Sequence, residues 1–224
     1  MQRILYAASP SIYRLVQNVH TLAFKYGQWR SIRAIVPVRN DGTPLPWYTY
    51  PAIEYLSQFD LSDCRVFEFG AGNSSIFWAE RAMGVVSVES DAKWFQFVRQ
   101  RLMPNQQLLL RETQSEYVRA LAEQDGNFDF VVVDGKWRLA CAEEAANALP
   151  DGGAIVLDNS DKYPDVAHRL RDRGFFEIDF NGFGPINNYT WTTSIFLRAQ
   201  CRLQRNFRAP RPIAGRGQVA TGKS

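Results

Sequence analysis

The stretch VFEFGAGNSSIFW, Val66 to Trp78, decides the fold, because it runs from a short apolar strand through two glycines one residue apart and into a helix. Backbone amides at a helix start are unpaired, and glycine lets a ligand approach the chain closely, so such a junction is a usual site for a nucleotide-like ligand. Gly70 and Gly72 match the first two glycines of the pattern G-x-G-x-x-G, but Ser75 stands at the third position. Alone, the loop has several possible owners.

Outward from the loop, strand alternates with helix from Val66 to about Gly174. The runs RVFEF, VVSVE, QLLLR, FDFVVVD and AIVLD are short and rich in Val, Ile, Leu and Phe, as parallel strands buried on both faces should be. Helices are predicted over Ser74 to Met83, Asp91 to Leu102, about Ser115 to Glu123, about Trp137 to Leu149 and Pro164 to Gly174. Two alternating strands follow, carrying Phe176, Ile178 and Phe180, then Trp191, Thr193, Ile195 and Leu197. No helix separates them, so they are antiparallel neighbours. The expected fold class is α/β: a Rossmann-like, doubly wound sheet of seven strands, mostly parallel, with an antiparallel C-terminal hairpin strand.

A chain of 224 residues with 46% hydrophobic and 13% aromatic content can bury one good-sized core. Cys64, Cys141 and Cys201 match neither a metal-ligand spacing nor a disulfide framework, which favours a reducing compartment. No run approaches the roughly 18 apolar residues of a membrane span, and the N-terminus lacks a secretory signal pattern, so a cytoplasmic location is expected.

Charge is segregated along the chain. Residues 1–40 contain six Lys or Arg and no Asp or Glu, and residues 198–224 contain seven and none. Residues 41–197 then hold 13 basic and 23 acidic side chains, so the folded core is not expected to bind nucleic acid. The expected organisation is a basic helical extension over 1–44, one domain over 45–199, and a basic disordered tail over 200–224. Ile12, Leu15, Val16, Val19, Leu22 and Ala23 recur at helical spacing with Arg14 and Lys25 among them. Such a basic amphipathic helix packs on the domain, makes peripheral contact with an anionic membrane surface, or is a targeting segment. At the other end, GQVATGKS, Gly217 to Ser224, spells the P-loop pattern, but no strand precedes it and no helix can follow Ser224 within the chain, so it is set aside.

With these elements in order, the sequence resembles the class I S-adenosylmethionine-dependent methyltransferases over roughly residues 50–198. FEFGAG resembles that family's first motif, VVSVES its second, and FDFVVVDG and PDGGAIVLDN its fourth- and fifth-strand motifs. The resemblance implies S-adenosyl-L-methionine as cofactor, with the domain over 45–199 as the methyltransferase domain, and Glu68, Gly70, Ala71, Gly72, Asn73, Ser74, Glu89 and Ser90 around the cofactor. Glu68 is expected to attract the cationic amino group of a methionine moiety and to repel the pyrophosphate of a nicotinamide dinucleotide; Glu89 suits the ribose of either. The plainer reading is that Glu68 caps the following helix. The alternatives are an NAD(P)-binding oxidoreductase and a non-catalytic nucleotide-binding module of the same fold.

Methyl transfer is a displacement that needs an aligned acceptor and, for a hydroxyl, a base. Asp134 and Asp158 are the candidate catalytic groups, at the ends of the fourth and fifth strands, where Asn159 joins them. This trio resembles the oxygen ligands of metal-dependent small-molecule O-methyltransferases, yet Trp137 fills the position where that family carries a lysine. An acceptor pocket without metal is therefore expected, with Lys136 or Arg138 neutralising the carboxylates. The expected acceptor is an oxygen of a small molecule or glycan. Trp47, Tyr48 and Tyr50 are candidates for its pocket, as is the loop Asn181 to Tyr189, while His20 and His168 read as surface helix residues.

Overall fold

A computed structural model describes residues 9–201, 206 and 210–215. Seven strands form one sheet: β1 (Arg65–Phe69), β2 (Gly84–Glu89), β3 (Gln106–Leu110), β4 (Phe130–Val133), β5 (Ala154–Asp158), β6 (Phe176–Gly182) and β7 (Trp191–Leu197). Their spatial order is β3-β2-β1-β4-β5-β7-β6. The first five are parallel, and β7 runs antiparallel to both β5 and β6. A nicotinamide-type sheet runs 3-2-1-4-5-6; here a reversed strand is inserted between β5 and the edge.

Eight α-helices accompany the strands among the described residues: α1 (Pro10–His20), α2 (Gln28–Ala34), α3 (Tyr50–Leu56), α4 (Asn73–Ala79), α5 (Ala92–Arg99), α6 (Gln114–Arg119), α7 (Arg138–Ala148) and α8 (Pro164–Asp172). A π-helical turn, Thr21–Lys25, continues α1, and a 3₁₀ turn, Ser160–Lys162, follows β5. The helices between strands end earlier than their periodicity suggests, because regular α-helical hydrogen bonding gives way to tighter turns at their ends. Ser9 and Asp91 cap α1 and α5 through their side chains, and Thr113 does the same for α6.

Side-chain alternation along β1 splits the core in two. Phe67 and Phe69 point to the face covered by α6, α7 and α8, where they meet Val131, Val133, Tyr117 and Ala142. Val66 points the other way, into a cluster of Phe77, Trp78, Ile53 and Leu56 from α3 and α4. Each fully buried side chain of this size contributes about 1.5–3 kcal/mol. The same alternation carries Glu68 to the α4 face, opposite Phe67 and Phe69, and away from the carboxyl-end crevice.

The N-terminal extension is two things. From Leu22 onward it is tied to the body: Leu22 packs against the cluster of Ile53, Leu56 and Phe77, the Tyr26 hydroxyl donates to Glu54 at 3.0 Å, and Gln28 Nε2 donates to the Gly184 carbonyl at 3.0 Å. Helix α1, in contrast, has no buried residue, so the expected amphipathic helix meets the domain at Leu22 in the π-helical turn and not along Ile12 to Val19. None of the described residues covers its apolar positions. Parts of the expected tail also touch the body, since Asn206 and Ile213 donate backbone hydrogen bonds to Gln58 and Glu54. The P-loop-like stretch Gly217 to Ser224 lies outside the described residues. Among those residues no helix is long and apolar enough to cross a membrane.

Candidate functional site

The carboxyl ends of β1, β2 and β4 open onto a cavity of about 310 Å³. Gly70, Ala71, Gly72, Asn73, Ser74 and Glu89, six of the eight residues expected around a cofactor, line it together with the candidate catalytic Asp134. Gly70 has φ +102°, a left-handed backbone, and a Cβ there would meet the Gly135 backbone at 3.0 Å. Gly72 is different. Its φ of 177° is extended, and a Cβ would meet only Trp94 at 3.9 Å. Of the two, only Gly70 is a glycine because the backbone demands it.

Glu89 ends β2 with its two carboxylate oxygens in different surroundings. Oε1 accepts from the backbone N–H groups of Ser90, at 2.6 Å, and Asp91, at 2.8 Å. Oε2 receives one long contact, 3.4 Å, from Ala71 N, and keeps accepting and orienting capacity for a ligand hydroxyl. Ser90 is buried and contributes through this backbone bond; it does not line the cavity.

Glu68 is the clear correction. It does not line the cavity and is fully buried beneath the start of α4, where Ser75 and Ser87 donate to its Oε2. Burial pushes its carboxyl up to about 7 against the hydrogen bonds from Ser74, Ser75 and Ser87. Its other oxygen, Oε1, has no hydrogen-bond partner. Glu68 therefore braces the turn from loop to helix, and the charge argument that set it against a pyrophosphate falls; sheet order takes over that discrimination.

Beyond Asp134 lies a second cavity of about 360 Å³, lined by Trp47, Asp134, Asp158, Asn159, Lys162, Asn187, Tyr189 and Trp191. Trp47 and Asp134 belong to both cavities, so the two adjoin there. Of the three aromatic candidates before β1, only Trp47 reaches the site, with its indole N–H on Asn187 Oδ1 at 3.2 Å. Tyr48 and Tyr50 are core residues. The loop between β6 and β7 supplies Asn187 and Tyr189.

Arg138 holds the carboxyl ends of β4 and β5 together. Its guanidinium contacts Asp134 Oδ1 at 3.0 Å and donates to the carbonyls of Asp134, Gly135 and Asp158. Burial pushes the Asp134 carboxyl upward while Arg138 pulls it down. Asp158 is also pushed upward, by burial first and by the Asp134 charge second. Its Oδ1 accepts from Thr193 Oγ1 at 2.6 Å and Trp191 Nε1 at 3.0 Å. Trp137 packs edge-on against Tyr117. Among the described residues no cluster of three or more His, Cys, Asp or Glu is arranged to hold a metal ion. His168 is exposed on α8 beside Asp172, and His20 is exposed on α1.

Four features of the site were missed in the sequence. Ile35, Val36 and Pro37 line the first cavity, and Asn73 Nδ2 donates to the Pro37 carbonyl at 2.8 Å. Trp94, Phe97 and Arg101 of α5 and its C-terminal turn form another wall, the indole donating to Ala71 O at 2.6 Å and lying stacked with Phe97. Gly135 closes the floor, and Lys162 with Trp191 edges the second cavity. A Trp in the first turn of the helix that follows the acid-ended strand β2 was the one available signal; the others depend on tertiary contact. Ile35, Trp137 and Asn159 are the non-glycine residues with left-handed backbone, φ +54°, +52° and +56°, among those described. Ile35 and Asn159 border the two cavities, where such strain concentrates.

Neither a family model nor a curated protein matches the sequence. Among solved structures, precorrin-6y C5,15-methyltransferase from Geobacter metallireducens is similar with a TM-score of 0.51 and 16% identity, over 66% of this chain and 88% of that one. An rRNA methylase from Streptococcus thermophilus aligns with a TM-score of 0.49 and 15% identity, over 66% and 96% of the two chains. The magnesium protoporphyrin IX methyltransferase of Synechocystis, crystallised with bound SAM, aligns at 0.45 and 18%, over 62% and 72%. Sheet order, the reversed β7 and the first of these similarities agree: the chain has the Rossmann-like fold of the class I S-adenosylmethionine-dependent methyltransferases.

Proposed function

We propose that this protein transfers a methyl group from S-adenosyl-L-methionine to an oxygen of a small molecule or glycan. One observation carries the reading: a glycine-loop cavity and a polar, aromatic cavity adjoin at Asp134 and Trp47. The first, at about 310 Å³, lies within the roughly 300–1,000 Å³ of ligand pockets. Its residues fit the cofactor by chemistry. Backbone around Gly70 to Ser74 offers close approach, Glu89 Oε2 offers an acceptor for a ribose hydroxyl, and Trp94 with Phe97 offers an aromatic face for a purine.

S-adenosylmethionine, when bound, supplies an electrophilic methyl on a sulfonium. The remaining work belongs to the chain. Asp134 takes the proton of the acceptor hydroxyl, and its upward-shifted carboxyl is the better base for that shift. Asp158, held by Thr193 and Trp191, and Asn159 orient the acceptor. Arg138 fixes both strand ends so that base and acceptor keep their alignment. Trp47 and Tyr189 supply aromatic walls to the second cavity.

Titration calorimetry tests the reading directly. S-adenosylmethionine and its demethylated product are expected to bind, and NADH is not. Binding of NADH with no response to the methyl donor would overturn it.

A further inference from the structure

We propose that the N-terminal helix is a docking surface for an anionic lipid headgroup layer. Helix α1 has no buried residue. Ile12, Leu15, Val16 and Val19, spaced to share one face, are 55%, 63%, 47% and 60% exposed. Four adjacent aliphatic side chains left open to water are a patch that calls for a partner. Phe24 in the π-helical turn, Trp29 and Ile32 on α2, and Ile35 just after it are exposed as well.

Charge selects the partner. Residues 1–40 carry six Lys or Arg and no acidic residue, and Arg14, Lys25 and Arg33 are exposed. Pairing this surface with the same surface of a second copy would bring two such basic segments together, which costs free energy. An anionic bilayer offers both halves of the match: acyl chains for the stripe and headgroups for the cations. The aliphatic character of the stripe sets it against a nucleic acid, which would be met by stacking rings and cations.

Position adds a consequence. Ile35, exposed directly after α2, lines the first cavity with Val36 and Pro37, and the Pro37 carbonyl accepts from Asn73 of the glycine loop. A layer that reaches from α1 to Ile35 would lie at the rim of the site.

The test is co-sedimentation of the full chain with vesicles of phosphatidylcholine alone and of phosphatidylcholine mixed with phosphatidylglycerol. Association is expected only with the second, and is expected to fall as salt is raised. Leu15→Glu with Val19→Glu should abolish it, and Arg14→Glu with Lys25→Glu should reduce it several-fold. Three results would overturn the proposal: no sedimentation with the anionic vesicles, equal sedimentation with neutral ones, or unchanged sedimentation of the Leu15→Glu, Val19→Glu variant. Light scattering and melting of that variant without lipid cover the other occupants. A dimer that the variant dissolves would assign the stripe to a second copy, and a lowered melting temperature would assign it to another segment of the same chain. Both outcomes count against the lipid layer. None of these readouts needs methyl transfer, so the proposal stands or falls apart from the activity.

Discussion

The two adjoining cavities are built in different ways. The first is assembled largely from consecutive residues: Gly70 to Ser74 form its loop, Glu89 closes the neighbouring strand, and backbone groups do much of the contact. The second is assembled from side chains that the chain brings from far apart, Trp47 before β1, Asp134 and Asp158 at two strand ends, and Asn187 and Tyr189 on the β6–β7 loop. A backbone-built site tolerates little change in conformation but much change in side chain. The side-chain-built site is the reverse. That difference suits a constant ligand on one side and an individual acceptor on the other.

Substitutions at the two loop glycines press hardest on this contrast. Gly70→Val places a branched side chain at φ +102° against Gly135, so S-adenosylmethionine binding should disappear in calorimetry. The fold should lose about 1–3 kcal/mol as well, the scale of a forced left-handed backbone. Gly72→Ala, in extended backbone with open space beside it, should leave the melting temperature nearly unchanged. If both glycines proved equally intolerant, backbone strain would not be the distinction between them.

The next test crosses into the second cavity. Asp134→Asn keeps the shape and removes the base, so turnover with an identified acceptor should fall about 10²–10⁴-fold while donor affinity stays within a few-fold. Activity should survive EDTA, since Arg138 already compensates Asp134. Activity lost to the chelator and restored by magnesium would instead make the carboxylates metal ligands.

The same contrast explains what could be read in advance. The strands were legible because β1, β4 and β5 are buried runs of Val, Ile, Leu and Phe, and the reversed hairpin because β6 and β7 have no helix between them. The loop and Glu89 were legible because their contacts are local. Glu68 was misplaced by counting back from Gly70 without counting faces: in a strand, a position one before Phe69 points away from it. Ile35 to Pro37 were assigned to an extension outside the site, because nothing in their own sequence records the bond from Asn73. Tyr48 and Trp47 are adjacent and equally aromatic, and only packing against Trp78 separates the core residue from the cavity wall.

Within the first cavity, Glu89→Ala should cost about 1–3 kcal/mol of donor binding, the scale of hydrogen bonds to a charged group. Calorimetry would register this as roughly a 5- to 150-fold weaker affinity. An unchanged affinity would show that Glu89 serves only its own turn, through the N–H groups of Ser90 and Asp91. The loop cavity would then depend on backbone alone, sharpening the contrast beyond its present form.

The smallest expected effect lies under the loop, at Glu68. Its folded-state pKa is raised from 4.5 to about 7, so the folded chain holds the proton over a range where the unfolded chain has released it. Stability rises with pH where the unfolded state binds more protons, and here the folded state binds more. The contribution is therefore fully favourable below about pH 4.5 and is lost as pH rises toward about 7. Glu68→Gln keeps an oxygen for Ser75 and Ser87 and removes the titration. Asp134 and Asp158 are raised too, so the observable is the difference between the wild type and Glu68→Gln, measured by urea unfolding across that range. The wild type should lose stability relative to the variant as pH rises, with donor affinity little changed, because Glu68 touches the helix turn and not the cavity. Parallel stability curves for the two proteins would mean that Glu68 is not protonated in the folded state. A large loss of donor affinity would return Glu68 to the binding site and narrow the gap between its two walls.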